Sequence, residues 1–210
     1  MEKSNLSKNA IAPGHKLIKD ENGVKVDATK YKQIVGCLIY LAATRPDLMY
    51  VLSLISRFMK CPTELHMQAV KRVLKYLNGT INLGIMYKRG GSEKLEAYID
   101  SDYAGNLDDR KITSRYVFML SSGVVSWSSK KQPVVTLSTT EAEFIAAAFC
   151  ACQSVWMRRV LKKLDHTQSE SITVYCDNNS TIKLSKNPVL HDRSKHIDVR
   201  FHFLRDLTND

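Results

Sequence analysis

Residues 137–143 read LSTTEAE, and this stretch opens the longest predicted helix of the chain, over about residues 139–164. Ser138 and Glu141 have the S-x-x-E spacing of a capping box, in which two side chains satisfy backbone N–H groups at a helix start. Residues two positions apart on a helix point about 200° away from each other, so Glu141 and Glu143 face different directions. The stretch predicts a structural role for Glu141 and makes Glu143 the better catalytic candidate.

This helix lies between predicted strands, an arrangement typical of an α/β domain. Ala146, Ala147 and Ala151 share the side of the helix that carries Glu143, and small residues there let it lie close to a sheet. Alternating patterns predict strands at residues 83–87, 95–100, 116–120, 124–127 and 172–176, with further helices at 178–185 and 197–207. The apolar stripe of the long helix also predicts that Trp156 lies in the core.

Three amphipathic helices precede the strands. They are predicted at residues 29–43, 46–58 and 63–79, with Pro46 in the first turn of the second. The period of the apolar residues changes after Gly79, and Gly90 and Gly91 interrupt the pattern. We therefore predict a small helical subdomain followed by a mixed α/β domain, with the boundary at about residues 88–93.

Carboxylates occur where the predicted strands end. Asp100 and Asp102 lie on one face of a strand, Asp177 follows the apolar strand at 172–176, and Glu143 lies on the long helix. Carboxylates that meet from separate elements need a cation to stay ionised, and oxygen ligands favour Mg²⁺ or Mn²⁺. The alternative is that each acidic residue is an ordinary turn residue.

Composition indicates an intracellular protein with a polyanionic partner. The 31 Lys and Arg residues exceed the 21 Asp and Glu residues, giving a net charge of +10, which favours binding to phosphates. A basic protein that merely stays soluble is the alternative. The five cysteines have no CxxC spacing, the first 19 residues are too polar for a signal peptide, and we expect no membrane span. The expected location is the cytoplasm or the nucleus, without secretion.

Several motifs together resemble one family. They are DRKITS at residues 109–114, VVSWSSKKQ at 124–132, LSTTEAE at 137–143, DN at 177–178, NP at 187–188 and KHID at 195–198. Upstream motifs are YL at 40–41, TRPD at 44–47, SRFM at 56–59 and YLNGT at 76–80. In this order they resemble the end of the reverse transcriptase and the ribonuclease H domain of copia-type LTR retrotransposon Pol polyproteins. The resemblance begins at about Gly14.

The resemblance implies a fold and a division into domains. The expected fold is a ribonuclease H-like mixed sheet with flanking helices. Residues 1–27 form an irregular lead-in, 28–90 the helical thumb- or connection-like end of a reverse transcriptase, and 91–210 the ribonuclease H-like domain. The family continues past the position of Asp210 with a strand and a helix that carries a fourth metal ligand, so the domain is expected to lack both.

The resemblance also implies an activity, the hydrolysis of the RNA strand of RNA–DNA hybrids during reverse transcription. Asp100, Glu143 and Asp177 would be the catalytic residues and would hold two Mg²⁺ or Mn²⁺ ions. The candidates for auxiliary roles are Asp102, Glu141, His196 and Asp198. The candidates for contact with nucleic acid are Lys130, Lys131, Arg193 and Lys195, and the expected partners are the hybrid and the rest of the polyprotein.

The chain departs from the family pattern in ways that favour a second interpretation. Arg115 stands where the pattern has Gly, the polymerase active-site region is absent, and the missing fourth ligand predicts weak cleavage or none. The alternative function is a non-catalytic remnant that at most binds nucleic acid. For His196, contact with phosphate or help in product release competes with a structural, hydrogen-bonded role.

Overall fold

The computed structural model describes residues 5–12, 14–90, 94–102, 108–168, 170–186 and Leu204. Its packing divides the chain into two compact units. The first comprises Met1–Ile85 with Ala104–Arg110, and the second comprises Met86–Tyr103 with Lys111–Asp210. The predicted helix at 197–207 lies outside the described residues, apart from Leu204.

The first unit is helical. Its elements are α1 (Ala28–Leu41), a 3₁₀ turn at Pro46–Leu48, α2 (Met49–Ile55), a second 3₁₀ turn at Ser56–Phe58 and α3 (Glu64–Gly79). Asp27 begins α1 by accepting hydrogen bonds from the backbone nitrogens of Thr29 and Lys30, which have no partner within the helix. Tyr31 and Val35 from α1 are fully buried in the core that the three helices share.

The start of α3 is fixed by a buried histidine. The Nδ1 atom of His66 accepts a hydrogen bond from the backbone nitrogen of Thr63 at 3.0 Å, and its ring stacks on Phe58 with centroids 3.9 Å apart. Its Nε2 atom lies 2.8 Å from the carbonyl oxygen of Ile18. This histidine therefore joins the lead-in segment to the helices.

The second unit is built on a four-stranded mixed sheet. Its strands are β1 (Leu95–Asp102), β2 (Thr113–Leu120), β3 (Gly123–Lys131) and β4 (Thr173–Tyr175), in the order β3-β2-β1-β4. The first three strands pair antiparallel, whereas β4 pairs parallel with β1. Helices α4 (Thr139–Lys163) and α5 (Asn179–Lys186) flank the sheet. The predicted mixed α/β class, with a mixed sheet and flanking helices, is confirmed, and this architecture is consistent with a ribonuclease H-like fold.

Helix α4 covers one face of the sheet. Leu95, Ala97 and Ile99 alternate along β1 towards the helix, where they pack in one cluster with Met157 and Leu161. The residues between them in β1 point to the other face. That face presents the stacked rings of Tyr98 and Tyr175, whose centroids are 4.8 Å apart. The two faces of β1 therefore have different surroundings.

Two predicted features of this region were wrong. Residues 83–88 are irregular, because Leu83 and Met86 are exposed and no neighbouring strand pairs with them among the described residues. Trp156 is 55% exposed. The buried stripe of α4 runs through Ser154, Met157 and Leu161, and a residue next to Met157 points about 100° away from it.

Helix α4 is also the one described helix that could cross a membrane by length and composition, with 25 residues. Half of its most apolar stretch is buried within the protein, as expected for a core helix. The expectation that no stretch is long and apolar enough to span a membrane was therefore wrong for α4.

Candidate active site

Glu143 lies on the first turns of α4 and is buried, with 6% of its surface exposed. Its Oε1 atom accepts two hydrogen bonds from Ser101, from the backbone nitrogen at 2.8 Å and from the hydroxyl at 2.7 Å. Its Oε2 atom is buried and has no hydrogen-bond partner in the described part of the chain. A buried carboxylate oxygen without a donor is costly, so it favours a proton or a cation nearby.

The electrostatic surroundings of Glu143 agree with this. Burial raises the pKa of Glu143 above its usual value, and the charges of Asp100 and Asp177 raise it further. The two hydrogen bonds from Ser101 act in the opposite direction and lower the pKa. Two neighbouring carboxylates thus disfavour the ionised form of Glu143, which is the situation that a bound cation relieves.

Asp177 lies next to Glu143. One ligand atom each from Glu143, Cys176 and Asp177 lie within 4.8 Å of one another, and these residues are buried, half-buried and exposed, respectively. Parallel pairing of β4 with β1, in which Tyr175 lies opposite Tyr98, brings the two residues after β4, Cys176 and Asp177, to this edge. The group has the size of a cation site with two carboxylates and one thiol.

The thiol of Cys176 is a poor ligand in its resting state. Burial raises its pKa, and the charges of Glu143 and Asp177 raise it further. Its Sγ atom lies 3.9 Å from the carbonyl oxygen of Asn178, to which it donates. Because a thiol binds metal ions as the thiolate, the carboxylates are the available donors at neutral pH.

Asp100 is held differently. Its Oδ2 atom lies 2.7 Å from the Nη2 atom of Arg115, with which it forms an ion pair. The two residues are direct partners in the pairing of β1 with β2, so their side chains share one face of the sheet. Asp100 is close enough to Glu143 to raise its pKa, but it is not in the group of Glu143, Cys176 and Asp177.

Glu141 points back to the start of α4. Its Oε2 atom accepts a hydrogen bond from the backbone nitrogen of Leu137 at 2.8 Å, and its own nitrogen donates to the hydroxyl of Ser138 at 3.1 Å. In a capping box the glutamate accepts from the backbone nitrogen of the N-cap residue, here Ser138. Glu141 instead accepts from Leu137, one residue earlier in the chain. Glu141 and Glu143 therefore have separate surroundings, although they are two residues apart.

Gln132 is a buried residue that sequence reasoning missed. Its side-chain nitrogen donates to the hydroxyl of Ser114 at 2.7 Å and to the carbonyl oxygen of Ala142 at 2.9 Å. Gln132 therefore ties β2 to the turn of α4 that carries Glu143. Its signal in the sequence was its place at the end of the motif VVSWSSKKQ, but the predicted strand ended at residue 127, four residues before the observed β3 ends. Ser101 was missed as well, because its role depends on the approach of α4.

The basic candidates Lys130 and Lys131 end β3 at the same edge of the sheet. Lys131 pairs with Thr113, which in turn pairs with Asp102, so a lysine and an aspartate occupy one row across three strands. Lys130 is exposed and pairs with Ser114. Lys130 and Lys131 thus lie at the end of the sheet that carries the carboxylates, with β2 between β3 and β1. The remaining candidates lie outside the described residues: Arg193, Lys195, His196 and Asp198.

Comparison with known proteins relates nearly the whole chain to transposon polyproteins. It is 43% identical over 196 residues to the retrovirus-related Pol polyprotein from transposon RE1 of Arabidopsis thaliana, which covers 93% of this chain and 13% of that protein. It is 44% identical over 182 residues to the corresponding polyprotein from transposon TNT 1-94 of Nicotiana tabacum, covering 86% of this chain and 14% of that protein. The chain thus spans about an eighth of the length of these relatives.

A third relative is a short protein. Secreted RxLR effector protein 161 of Plasmopara viticola is 44% identical over 128 residues, covering 60% of this chain and 90% of that protein. No protein-family model matches the chain. No solved structure matches it either.

These relationships define the class first: the chain is a retroelement-derived protein. More narrowly, it belongs to the copia-type retrovirus-related Pol polyproteins of transposons, of which it is a segment.

Proposed function

We propose that the second unit is a ribonuclease H centre, which hydrolyses the RNA strand of RNA–DNA hybrids made during reverse transcription. The observation that carries the proposal is the position of Glu143. It is a buried carboxylate with one oxygen fixed by Ser101 and the other without a donor, next to Asp177 and in the field of Asp100.

The residues at this edge fit a divalent cation. The Oε2 atom of Glu143 and the carboxylate of Asp177 are oxygen donors, and oxygen is the ligand that Mg²⁺ and Mn²⁺ prefer. In a two-ion centre, Glu143 and Asp177 would hold one such ion, and Asp100, which is paired with Arg115 in this structure, would be needed for the second. When bound, the ions supply an activated water and neutralise the charge that develops on the leaving oxygen.

The protein's own contribution is to orient Glu143. Ser101 fixes the direction of the carboxylate through two hydrogen bonds, and Gln132 fixes the backbone of the preceding residue, Ala142. Because a small displacement of a catalytic group is costly in rate, these contacts serve catalysis as well as folding. Asp177 would complete the site from the end of β4.

The substrate would lie across this edge of the sheet. Lys130 and Lys131, at the end of β3, would contact the phosphates of the hybrid and would position the duplex without reading its sequence. Preference for RNA would come from contacts with 2′-hydroxyl groups in the shallow minor groove. Other parts of the polyprotein would be partners, since the relatives carry this segment within much longer chains.

We also propose an intracellular location, in the cytoplasm or the nucleus. All five cysteines are free thiols, as is usual in a reducing compartment. The relative from Plasmopara viticola is named as secreted, so the location of this chain needs its own measurement, for which fractionation of cells expressing a tagged chain is suitable.

The ion pair of Asp100 with Arg115 favours a second candidate, a non-catalytic remnant that binds nucleic acid. In this function Asp100 would not be available as a ligand, whereas the lysines would keep their contacts with phosphates. The two candidates differ in one observable, the cleavage of RNA.

The test is an assay on a hybrid with a labelled RNA strand, in Mg²⁺ and in EDTA, with double-stranded DNA and double-stranded RNA as controls. A ribonuclease H centre cleaves only the RNA of the hybrid, and Asp177→Asn abolishes cleavage while hybrid binding is retained. Asp165→Asn is the matched control, because Asp165 is exposed beyond the end of α4. Hybrid binding without any Mg²⁺-dependent cleavage, in the wild type and also in Arg115→Gln, which removes the ion pair of Asp100, would establish the second candidate.

A further inference from the structure

Arg115 lies in a central strand of the sheet and not in a surface loop. It lies in the interior of β2, opposite Asp100 on one side and Ser129 on the other, in a continuous ladder. Its side chain is 35% exposed, and its Nη2 atom lies 2.7 Å from Oδ2 of Asp100. The register of the strands thus places the two residues directly opposite each other, and the guanidinium contacts a carboxylate that is 53% exposed.

A fixed guanidinium changes what Asp100 can bind. An arginine is always protonated, so the pair is close to neutral at every physiological pH. A divalent cation that approached Asp100 would meet the positive charge of Arg115 and would have to replace a charge-assisted hydrogen bond. The carboxylates of Glu143 and Asp177 carry no such partner among the described contacts, and Oε2 of Glu143 has no donor at all.

We propose that Arg115 is a built-in counter-ion that takes the place of a divalent cation at Asp100, so that this chain binds one ion, at Glu143 and Asp177, instead of two. This inference rests on the proposed metal centre but adds a residue that limits its metal content. Arg115 acts through Asp100 and is a positioning residue that contacts no substrate.

The site then has two parts: Glu143 and Asp177 bind a metal ion, and the charge of Asp100 is balanced by Arg115. One ion beside Glu143 relieves the unfavourable burial of its Oε2 atom, and the ion pair satisfies Asp100. A two-ion hydrolysis requires cations on both sides of the reacting phosphate. In this proposal Arg115 restrains cleavage, because the position at Asp100 holds no cation.

The experiment counts bound Mn²⁺ on the full chain by the electron paramagnetic resonance of the free ion. We expect one ion per wild-type chain and two for Arg115→Gln, which removes the charge and keeps most of the side chain. Because the variant lacks the repelling charge, its second ion should bind at Mn²⁺ concentrations that leave the wild type with one ion. Arg115→Lys, which keeps the charge, should bind one ion.

The controls keep the result interpretable. Arg158→Ala removes a charge from the exposed side of α4 and should leave the stoichiometry at one. Circular dichroism reports whether each variant is folded. If Arg115→Gln does not fold, Arg115→Gly replaces it as the variant without the charge. Equal stoichiometry and affinity in the wild type and in the charge-removed variants would overturn the inference.

Failure of the proposed function is a different result. If Arg115→Gln binds two ions but does not cleave hybrids, Arg115 limits the metal content and the ribonuclease H proposal fails. If the wild type cleaves hybrids with two bound ions, the ribonuclease H proposal stands and Arg115 has no such role.

Discussion

Ser101 donates two hydrogen bonds to a single carboxylate oxygen of Glu143, one from its backbone nitrogen at 2.8 Å and one from its hydroxyl at 2.7 Å. The backbone bond ties α4 to β1 whatever the side chain at position 101. The hydroxyl bond depends on serine. These two contributions can be separated by mutation, because only one of them is lost when the hydroxyl is removed.

Ser101→Ala should move the pH dependence of cleavage to higher pH. The hydrogen bonds from Ser101 lower the pKa of Glu143 against the larger effect of burial, so removing one of them raises that pKa. Glu143 then ionises only at a higher pH, so the acidic limb of the pH–rate profile shifts to higher pH. A pH–rate profile with Mg²⁺ measures the change. Ser53→Ala, in the helical unit, is the control, and an unchanged acidic limb would contradict the prediction.

Glu143→Gln should stabilise the metal-free protein at neutral pH. The folded-state pKa of Glu143 lies above its usual value of 4.5, so ionisation costs folding free energy. The loss of stability develops as pH rises from about 4.5 through the folded-state pKa. A tenfold difference in proton affinity between the folded and unfolded states corresponds to about 1.4 kcal/mol of unfolding free energy. Denaturant unfolding at several pH values measures the loss.

The same variant should lose the response to metal. Addition of Mg²⁺ should raise the denaturation midpoint of the wild type but not of Glu143→Gln, because only the carboxylate binds the ion. A wild type that is more stable than Glu143→Gln at pH 7 without metal would show that the buried oxygen is satisfied in another way.

Glu141→Ala should have the opposite effects: it should lower the stability of the protein and leave metal binding unchanged. It removes the acceptor for the backbone nitrogen of Leu137 at the start of α4, and loss of such a cap costs about 0.5–2 kcal/mol. Metal binding should persist in the folded fraction, because Glu141 points away from Asp177. Comparison of the unfolding free energy and of Mn²⁺ affinity with those of Glu143→Gln distinguishes the two glutamates. A loss of Mn²⁺ binding with normal stability would reverse their roles.

Replacement of Lys130 and Lys131 by alanine should weaken hybrid binding and its dependence on salt. Each lost phosphate contact reduces the slope of log affinity against log salt by about 0.9 on a duplex. The effect should be the same for hybrids of different sequence, since phosphates carry no sequence information. Fluorescence anisotropy at several salt concentrations measures the slope, with Lys162→Ala on the exposed side of α4 as the control. An unchanged slope would exclude both lysines from the interface.

The sequence predicted features that depend on local periodicity. Helix α4 and the different directions of Glu141 and Glu143 follow from the helical period, and the hairpin of β2 and β3 follows from alternation around a turn. The strand at 83–87 was wrong because a strand needs a neighbour, which an apolar pattern does not guarantee. The prediction for Trp156 was wrong because the buried side of α4 at this point runs through Ser154 and Met157, one residue out of step with the predicted apolar stripe.

The candidate site was predictable only in part. Strand ends and helix starts indicated Glu143 and Asp177 as neighbours, since such ends meet at one edge of a sheet. The pairing of Arg115 with Asp100 depends on the register between two strands, which no local pattern reveals. The roles of Ser101 and Gln132 depend on how closely α4 approaches the sheet.

The different roles of Glu141 and Glu143 should leave a trace in evolution. In copies of the element that are no longer selected for cleavage, a change at Glu143 relieves an unfavourable burial, whereas a change at Glu141 removes a helix cap. Drifting copies should therefore lose Glu143 before Glu141, and copies under selection should keep both. The relative substitution rates of these two codons across copies would date the point at which selection for the chemistry ended.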